Sequence, residues 1–237
     1  MKPLIRFTLG PVKSWGLRIL RKSLNNLKEL YKECDFIVCY NQIDRNKLSF
    51  LEGVELYDQN DFKKSDNKPK LEAWKLYPPR LRLNAHELVI DNDLLIQGRV
   101  PEIDRFLKEH NTLLLQGTGI KRYYGKYDPL IPEGYVINSG IYGMPPDFDF
   151  ASLVKQFQFG EWMQDRENGL FDDQGIIAAS LLNKDTIIIP KTSIFNCPKI
   201  TKTTIPIVKG YHFIGANRGE HWAWNEYCIS GFRKIYL

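Results

Sequence analysis

Short apolar runs alternate with amphipathic stretches through the first half of the chain. Leu4–Leu9 is apolar at nearly every position and is broken by Gly10-Pro11, which predicts a strand. From Ser14, which could cap a helix, Leu17, Leu20, Leu24, Leu27 and Tyr31 recur at three- and four-residue spacing and mark one helical face. Asp35–Tyr40 is a compact apolar run, the pattern of a strand covered on both sides. Val54–Tyr57 reads as a weaker strand, and the polar stretch from Asp58 to Lys68 as a loop. Leu71, Trp74 and Tyr77 mark a short helix that Pro78-Pro79 ends, since a proline cannot donate to the helical ladder. His86–Ile90 forms a strand running into Asp91-Asn92-Asp93. Pro101 suits the first turn of a helix with Ile103, Phe106 and Leu107 facing inward, and Thr112–Gln116 is the next strand.

The second half is less regular. Tyr135–Gly143 reads as a strand interrupted by a glycine turn, and Phe150–Met163 as a helix. Asp172 or Asp173 could cap a helix whose Ile176, Ile177, Ser180 and Leu181 share a face. Thr186–Ile189 is a strand stopped by Pro190, and the chain closes with Tyr211–Gly215 and a tryptophan-rich segment around Trp222 and Trp224. The β-α-β rhythm predicts an α/β fold, with a mainly parallel (mixed) central sheet flanked by helices. No linker stands out, so residues 1–237 are read as a single domain. It has a nucleotide-binding half over about 1–120 and an acceptor and donor-sugar half over about 121–237.

Composition narrows the field. A net charge of +5 suits a phosphate-bearing ligand, but the basic residues are scattered and make no nucleic-acid footprint. No apolar run is long enough to span a membrane, and the start is too quickly polar for a signal peptide. The cysteines, at 34, 39, 197 and 228, form no CxxC pair, which argues against a zinc ribbon or a thioredoxin-type site. They are expected to be buried free thiols in a reducing cytoplasm.

The chemistry concentrates at His86–Leu95. Residues i and i+2 of a strand point the same way, so Asp91 and Asp93 are expected to project together from the carboxyl end of a strand. That end is where open α/β sheets bind ligands. Two carboxylates held side by side repel, and a hard divalent cation relieves this, magnesium or manganese being suited to oxygen ligands. Taken by position alone, Asp91-Asn92-Asp93 fits a turn better, because Asp and Asn are favoured there.

Other segments change that balance. Lys75 lies in Trp74-Lys75-Leu76-Tyr77-Pro78, ahead of Leu88–Ile96 with its DxD triplet. Asn138-Ser139-Gly140-Ile141-Tyr142 follows, then Asp173-Gln174 with Asn183 behind it, then His212–Arg218. In this order they resemble the glycosyltransferases of the GT-A fold, and especially the glycogenin and bacterial galactosyltransferase type. In that family an apolar strand leads into DxD, and an Asn-(Ala/Ser)-Gly segment, an Asp-Gln helix start and a His-x-x-Gly-x-x-Lys segment follow. The sequence departs from the pattern at Arg218, which stands where the family has Lys, and in lacking the Pro-Trp that usually follows.

The resemblance implies a metal-dependent transfer of a sugar from a nucleoside-diphosphate sugar, a UDP-sugar being favoured, to a glycan, glycolipid or protein acceptor. Asp91, Asp93 and His212 would hold manganese or magnesium, and Arg218 and Lys75 would contact phosphates or base. Thr8 and Gly10 would lie near the base. Asn138, Ser139 and Gly140 would line the donor sugar or the acceptor. Asp172, Asp173 and Gln174 would provide the catalytic groups, with retention of configuration slightly favoured. Contact with the inner face of a membrane, to reach a lipid-linked acceptor, is compatible with the modest basic excess. The bland alternatives are a solvated helical lysine at 75, a hydrogen-bonded core histidine at 212, capping aspartates at 172 and 173, and core tryptophans at 222 and 224 beside Tyr227. The competing functions are a non-catalytic or degenerate nucleotide-sugar or carbohydrate-binding domain, and a DxD phosphohydrolase. The latter wants its motif on the first strand.

Overall fold

The computed structural model describes residues 1–59, 71–117, 124–157, 172–197, 205–214 and 221–224. The elements follow the expected rhythm. Strand β1 (Leu4–Leu9) leads to helix α1 (Ser14–Leu30), then to β2 (Asp35–Tyr40) and β3 (Glu55–Asp58). A 3-10 turn at Leu71–Leu76 precedes β4 (Glu87–Asp91) and β5 (Leu94–Ile96), which are followed by α2 (Pro101–Phe106) and β6 (Leu113–Gly117). Another 3-10 turn (Gly125–Leu130), β7 (Ile137–Met144), α3 (Phe150–Phe157) and α4 (Asp172–Leu181) come next. Strands β8 (Thr186–Ile189), β9 (Ile194–Cys197) and β10 (Gly210–Phe213) complete the set.

A seven-stranded sheet has the order β3-β2-β1-β4-β7-β6-β8, and a three-stranded sheet the order β5-β10-β9. In the large sheet β1 runs parallel to β2 and β4, β2 to β3, and β6 to β8, whereas β7 is antiparallel to both β4 and β6. The mixed, mainly parallel sheet expected from the sequence is therefore present.

Period-two alternation explains why its strands read as continuous apolar runs. On β4, Leu88 and Ile90 join one core with Leu20, Leu24 and Leu27 of α1 and Ile103 and Phe106 of α2. Val89, between them, joins the opposite core with Tyr142 of β7, Phe150 and Val154 of α3, and Ile176 and Ile177 of α4. Both faces are covered, so β4 is buried from Glu87 to Ile90 and meets solvent only at its carboxyl end, Asp91. The chain order then places the carboxyl ends of β1 and β4 side by side, with Thr8 in register with Asp91.

Several local expectations are corrected. Ser14 is inside α1: the capping position is Lys13, and no side chain caps the helix. Strand β7 is continuous rather than broken by a glycine turn. The irregularity is a shift in its pairing with β6, where Leu115 faces Tyr142 but Gln116 faces Asn138. The short strands β5 and β9 went unforeseen, because three or four residues carry too little periodicity to read. Of the expected helix Phe150–Met163, residues 158–163 lie outside the described residues, as does most of the Asp58–Lys68 loop. Trp224 is buried with Trp15 and Phe213, as a core residue; Tyr227 lies outside the described residues. Cys34 and Cys39 are free and buried, and burial pushes their thiols up to about 12; Cys197 is buried as well, and Cys228 is outside the described residues. Among the described residues no helix is long and apolar enough to cross a membrane.

One charged pair sits inside the large sheet. Arg6 on β1 meets Glu87 on β4 at 2.9 Å, both side chains being essentially inaccessible. Arg6 also donates to the carbonyls of Lys75 (3.0 Å) and Pro78 (2.9 Å), and Glu87 accepts from the amides of Leu81 and Arg82. The pair thus fastens the segment 75–82 to the sheet. Removing one member of a buried pair strands the other, at a cost of about 3–5 kcal/mol, whereas replacing both by apolar groups is often neutral. Arg6→Ala is therefore expected to destabilise the fold by about 3–5 kcal/mol in urea denaturation, and Arg6→Met with Glu87→Leu by much less.

Candidate functional site

The turn and metal readings of Asp91-Asn92-Asp93 turn out to be compatible. Strand β4 ends at Asp91, Asn92 and Asp93 make a turn, and β5 begins at Leu94. The two carboxylates therefore do not project from one extended strand, as the spacing suggested. They are brought together by the turn, and β10 adds the third group: it pairs antiparallel with β5, and the Phe213 amide donates to the Asp93 carbonyl at 2.9 Å. One ligand atom each from Asp91, Asp93 and His212 lies within 4.8 Å of the others. His212 Nε2 is 3.2 Å from Asp93 Oδ1. The side chains of Asp93 and His212 are 7% and 5% exposed, against 25% for Asp91, so the cluster is open to solvent mainly on the Asp91 side.

Lys75 is not a solvated helical residue. It is buried, with its ammonium 2.8 Å from Asp91 Oδ1 and 3.4 Å from Asp173 Oδ2. It also donates to the Ser139 hydroxyl (3.2 Å) and carbonyl (3.3 Å). Burial alone would lower the pKa of the ammonium, but Asp91 and Asp173 more than offset it and hold the group charged. Burial pushes the Asp91 carboxyl up, the repulsion of Asp93 adds to this, and Lys75 and His212 oppose it.

Ser139 links the remaining pieces. Its hydroxyl donates to Asp173 Oδ2 at 3.3 Å, and its amide donates to Gln174 Oε1 at 3.2 Å. Asp173 lies within the first turn of α4, and its carboxylate is engaged by Lys75 and Ser139. A Cβ on Gly175 would meet the Tyr124 carbonyl at 2.1 Å, so glycine there lets the start of α4 pack against the backbone and sets the depth of Asp173 and Gln174. Asp172 opens the helix, and its side chain is outside the described set.

The Asn138 side-chain oxygen accepts from the Gly140 amide at 2.7 Å. Gly140 is required by close approach: an added Cβ would lie 2.4 Å from His212 Cε1 and 2.7 Å from Asn138 Oδ1. Gly10 is different, since a Cβ there would make only an ordinary 3.6 Å contact with Asn41 Oδ1. Thr8 Oγ1 is buried without a hydrogen-bond partner among the described residues. Next to Gly10, a cleft of about 490 Å³ opens at the exits of β1 and β2, lined by Pro11, Val12, Lys13, Gln42, Ile43, Asp44 and Lys47. Arg218 lies outside the described residues.

Five separated segments thus converge: Lys75, the β4–β5 turn, Ser139–Gly140, Asp173–Gln174 and His212. Sequence reasoning missed Gln116, which is fully buried, and Asn196, to which it donates a hydrogen bond at 2.7 Å. A polar amide directly after the apolar run Leu113–Leu115, within the same strand, was the available signal for Gln116; β9, which carries Asn196, is too short to read as a strand.

The donor set fits a hard divalent cation. At formal charge, Asp91, Asp93 and Asp173 against Lys75 leave a buried cluster with two uncompensated negative charges, which a divalent ion would neutralise.

No family model matches the chain, and no curated protein matches it in sequence. Its fold, by contrast, is shared with solved glycosyltransferases of the GT-A type. A galactosyltransferase, LgtC, in complex with donor and acceptor sugar analogs superposes with a TM-score of 0.63 at 12% identity, over 99% of this chain and 97% of that one. Mouse xyloside xylosyltransferase 1 gives 0.52 at 11% identity, covering 90% of this chain and 99% of that one. The bifunctional glycosyltransferase WbbM gives 0.59 at 12% identity, covering 93% of this chain and 46% of the longer WbbM chain. The GT-A-like architecture expected from the sequence is present; at such identities the likeness is one of fold.

Gly140→Ala is expected to displace the His212 ring, because the neighbour in the way is an imidazole held between strands rather than a free side-chain end. Overpacking of this kind costs about 1–3 kcal/mol, which urea denaturation of the variant would register.

Proposed function

We propose that the chain is a metal-dependent glycosyltransferase that moves a sugar from a nucleoside-diphosphate sugar, a UDP-sugar by preference, to a glycan or lipid-linked acceptor. The observation that carries this is the convergence of Asp91, Asp93 and His212 with the Lys75–Asp173–Ser139 network at the carboxyl ends of β1 and β4. Fold alone never fixes activity, and these residues supply what the fold does not.

Asp91, Asp93 and His212 would hold manganese or magnesium. When bound, the ion supplies Lewis-acid stabilisation of the charge on a departing nucleoside diphosphate. Lys75 sets the orientation of Asp91 and, by holding Asp173 and Ser139 as well, keeps the two halves of the site in one arrangement before any ligand arrives. Such preorganisation avoids reorganising charged groups when a ligand binds or reacts. The cleft next to Gly10 would take the nucleoside, with Thr8 nearby on β1; its lining carries two lysines, Lys13 and Lys47, against one carboxylate, Asp44, a slight positive excess toward an anionic ligand. Asp173, Gln174 and Ser139 would bind hydroxyls of the donor sugar, with Asp172 at the same helix start. Gly140 keeps that wall thin, and Arg218 would contact phosphate. Because Asp173 is engaged by Lys75 and Ser139, it serves better as a fixed acceptor of sugar hydroxyls than as a mobile base, which favours retention of configuration.

Thermal melts with UDP-, GDP- and dTDP-sugars, each with and without manganese, test the donor class. A UDP-sugar is expected to raise the melting temperature only when manganese is present; at a hundredfold excess over its Kd a ligand adds about 2.7 kcal/mol of stability. Stabilisation without metal would count against the proposed site, and stabilisation with metal but no transfer of labelled sugar would favour a non-catalytic binding domain. Asp91→Asn and Asp93→Asn are each expected to reduce transfer at least about a hundredfold, since metal charge stabilisation is worth several kcal/mol. Full transfer by the double variant at saturating donor would defeat the proposal.

A further inference from the structure

The metal-ligand cluster spans two sheets. Asp91 and Gly140 belong to the seven-stranded sheet and His212 to the three-stranded one. On one side, β10 is tied to the Asp93 turn by backbone bonds through β5 and the Phe213 amide. On its other side β10 pairs in parallel with β9, where Asn196 stands in register with His212. Register partners on neighbouring strands present their side chains to the same face. Asn196 Oδ1 accepts from Gln116 Nε2 at 2.7 Å, and Gln116 is on β6 of the large sheet, where the β6–β7 register shifts. This one side-chain bond links the two sheets beside the imidazole.

The packing there is close. The point that a Gly140 Cβ would occupy is 2.4 Å from His212 Cε1 and 2.8 Å from Gln116 Oε1. The carboxamide and the ring edge face each other across a glycine, with no room for a methyl group. Three buried polar atoms in this cluster have no hydrogen-bond partner among the described residues: Gln116 Oε1, Asn196 Nδ2 and His212 Nδ1. Each such atom costs about 1–3 kcal/mol, so the arrangement calls for a reason to persist. A ligating histidine ordinarily donates its second ring N–H to an acceptor that fixes the ring.

We propose that Gln116 and Asn196 are positioning residues for His212: they brace the imidazole from the side opposite the Asp93 turn and keep Nε2 on the carboxylates. Gln116 Oε1 and His212 Nδ1 make no direct bond, and one bridging water would let Oε1 accept from Nδ1–H. The inference rests on Asp91, Asp93 and His212 being metal ligands.

The test is a manganese titration followed by the electron paramagnetic resonance of the free ion, with no sugar nucleotide present. It uses the wild type, Gln116→Leu, Asn196→Leu, His212→Ala and the double variant Gln116→Leu/His212→Ala, with a urea midpoint for each. Gln116→Leu and Asn196→Leu are each expected to weaken manganese binding about 10- to 100-fold. In the His212→Ala background Gln116→Leu should add no more than about twofold, because the group it positions is gone. Should Gln116→Leu not fold, Asn196→Leu at its half-buried site carries the same cycle. Wild-type affinity in Gln116→Leu or Asn196→Leu overturns the proposal and leaves the metal site standing. A full further loss in the His212→Ala background also overturns it, since the pair would then act on the fold generally. If the wild type itself binds no manganese, the metal reading falls and this inference falls with it.

Discussion

Two carboxylates packed around one buried ammonium, with a third carboxylate beside Asp91, govern the structure at the carboxyl ends of β1 and β4. Lys75 cannot be withdrawn from water without Asp91 and Asp173, and Asp91 cannot be buried beside Asp93 without Lys75. The mutual dependence fixes the positions of residues that are far apart in the chain. It also leaves a negative excess, which makes the site receptive to a cation rather than closed upon itself. A site that balanced its own charge would be stable and inert; this one is stable and incomplete.

The scaffold keeps that arrangement by a second charged pair on the same face of the sheet. Arg6 and Glu87 are as deeply buried as Lys75, and their hydrogen bonds go to the backbone of 75–82. Tyr142 joins them, its hydroxyl donating to the Lys75 carbonyl at 3.0 Å. The segment bearing the lysine has only a short 3-10 turn of its own, so it takes its position from side chains of β1, β4 and β7. The apolar cores on the two faces hold those strands, and through them the distance between ammonium and carboxylates.

Glycine does comparable work at the opposite wall. Gly140 allows β7 to pass against the His212 ring, and Gly175 lets the start of α4 rest on the Tyr124 carbonyl. Both place polar groups at distances that any larger side chain would lengthen. The site is assembled by what is absent at these positions as much as by the charges it contains.

Much of the fold was legible because periodicity is a local property. The strands β1, β2, β4, β6 and β8 and the helices α1 and α2 follow from runs and spacings within a few residues, and their alternation sets the sheet. The order of Lys75, the DxD triplet, Asn138–Gly140, Asp173–Gln174 and His212 also pointed to one site. What the chain could not disclose locally was how these segments meet. The turn after Asp91, the short strands β5 and β9, and the Gln116–Asn196 bond depend on register between strands separated by tens of residues. Spacing along the chain says which residue types are available, and burial then decides their partners. That is why Lys75 could be read as either solvated or functional from sequence, and why only the packing of β4, β7 and α4 around it settled where its charge goes.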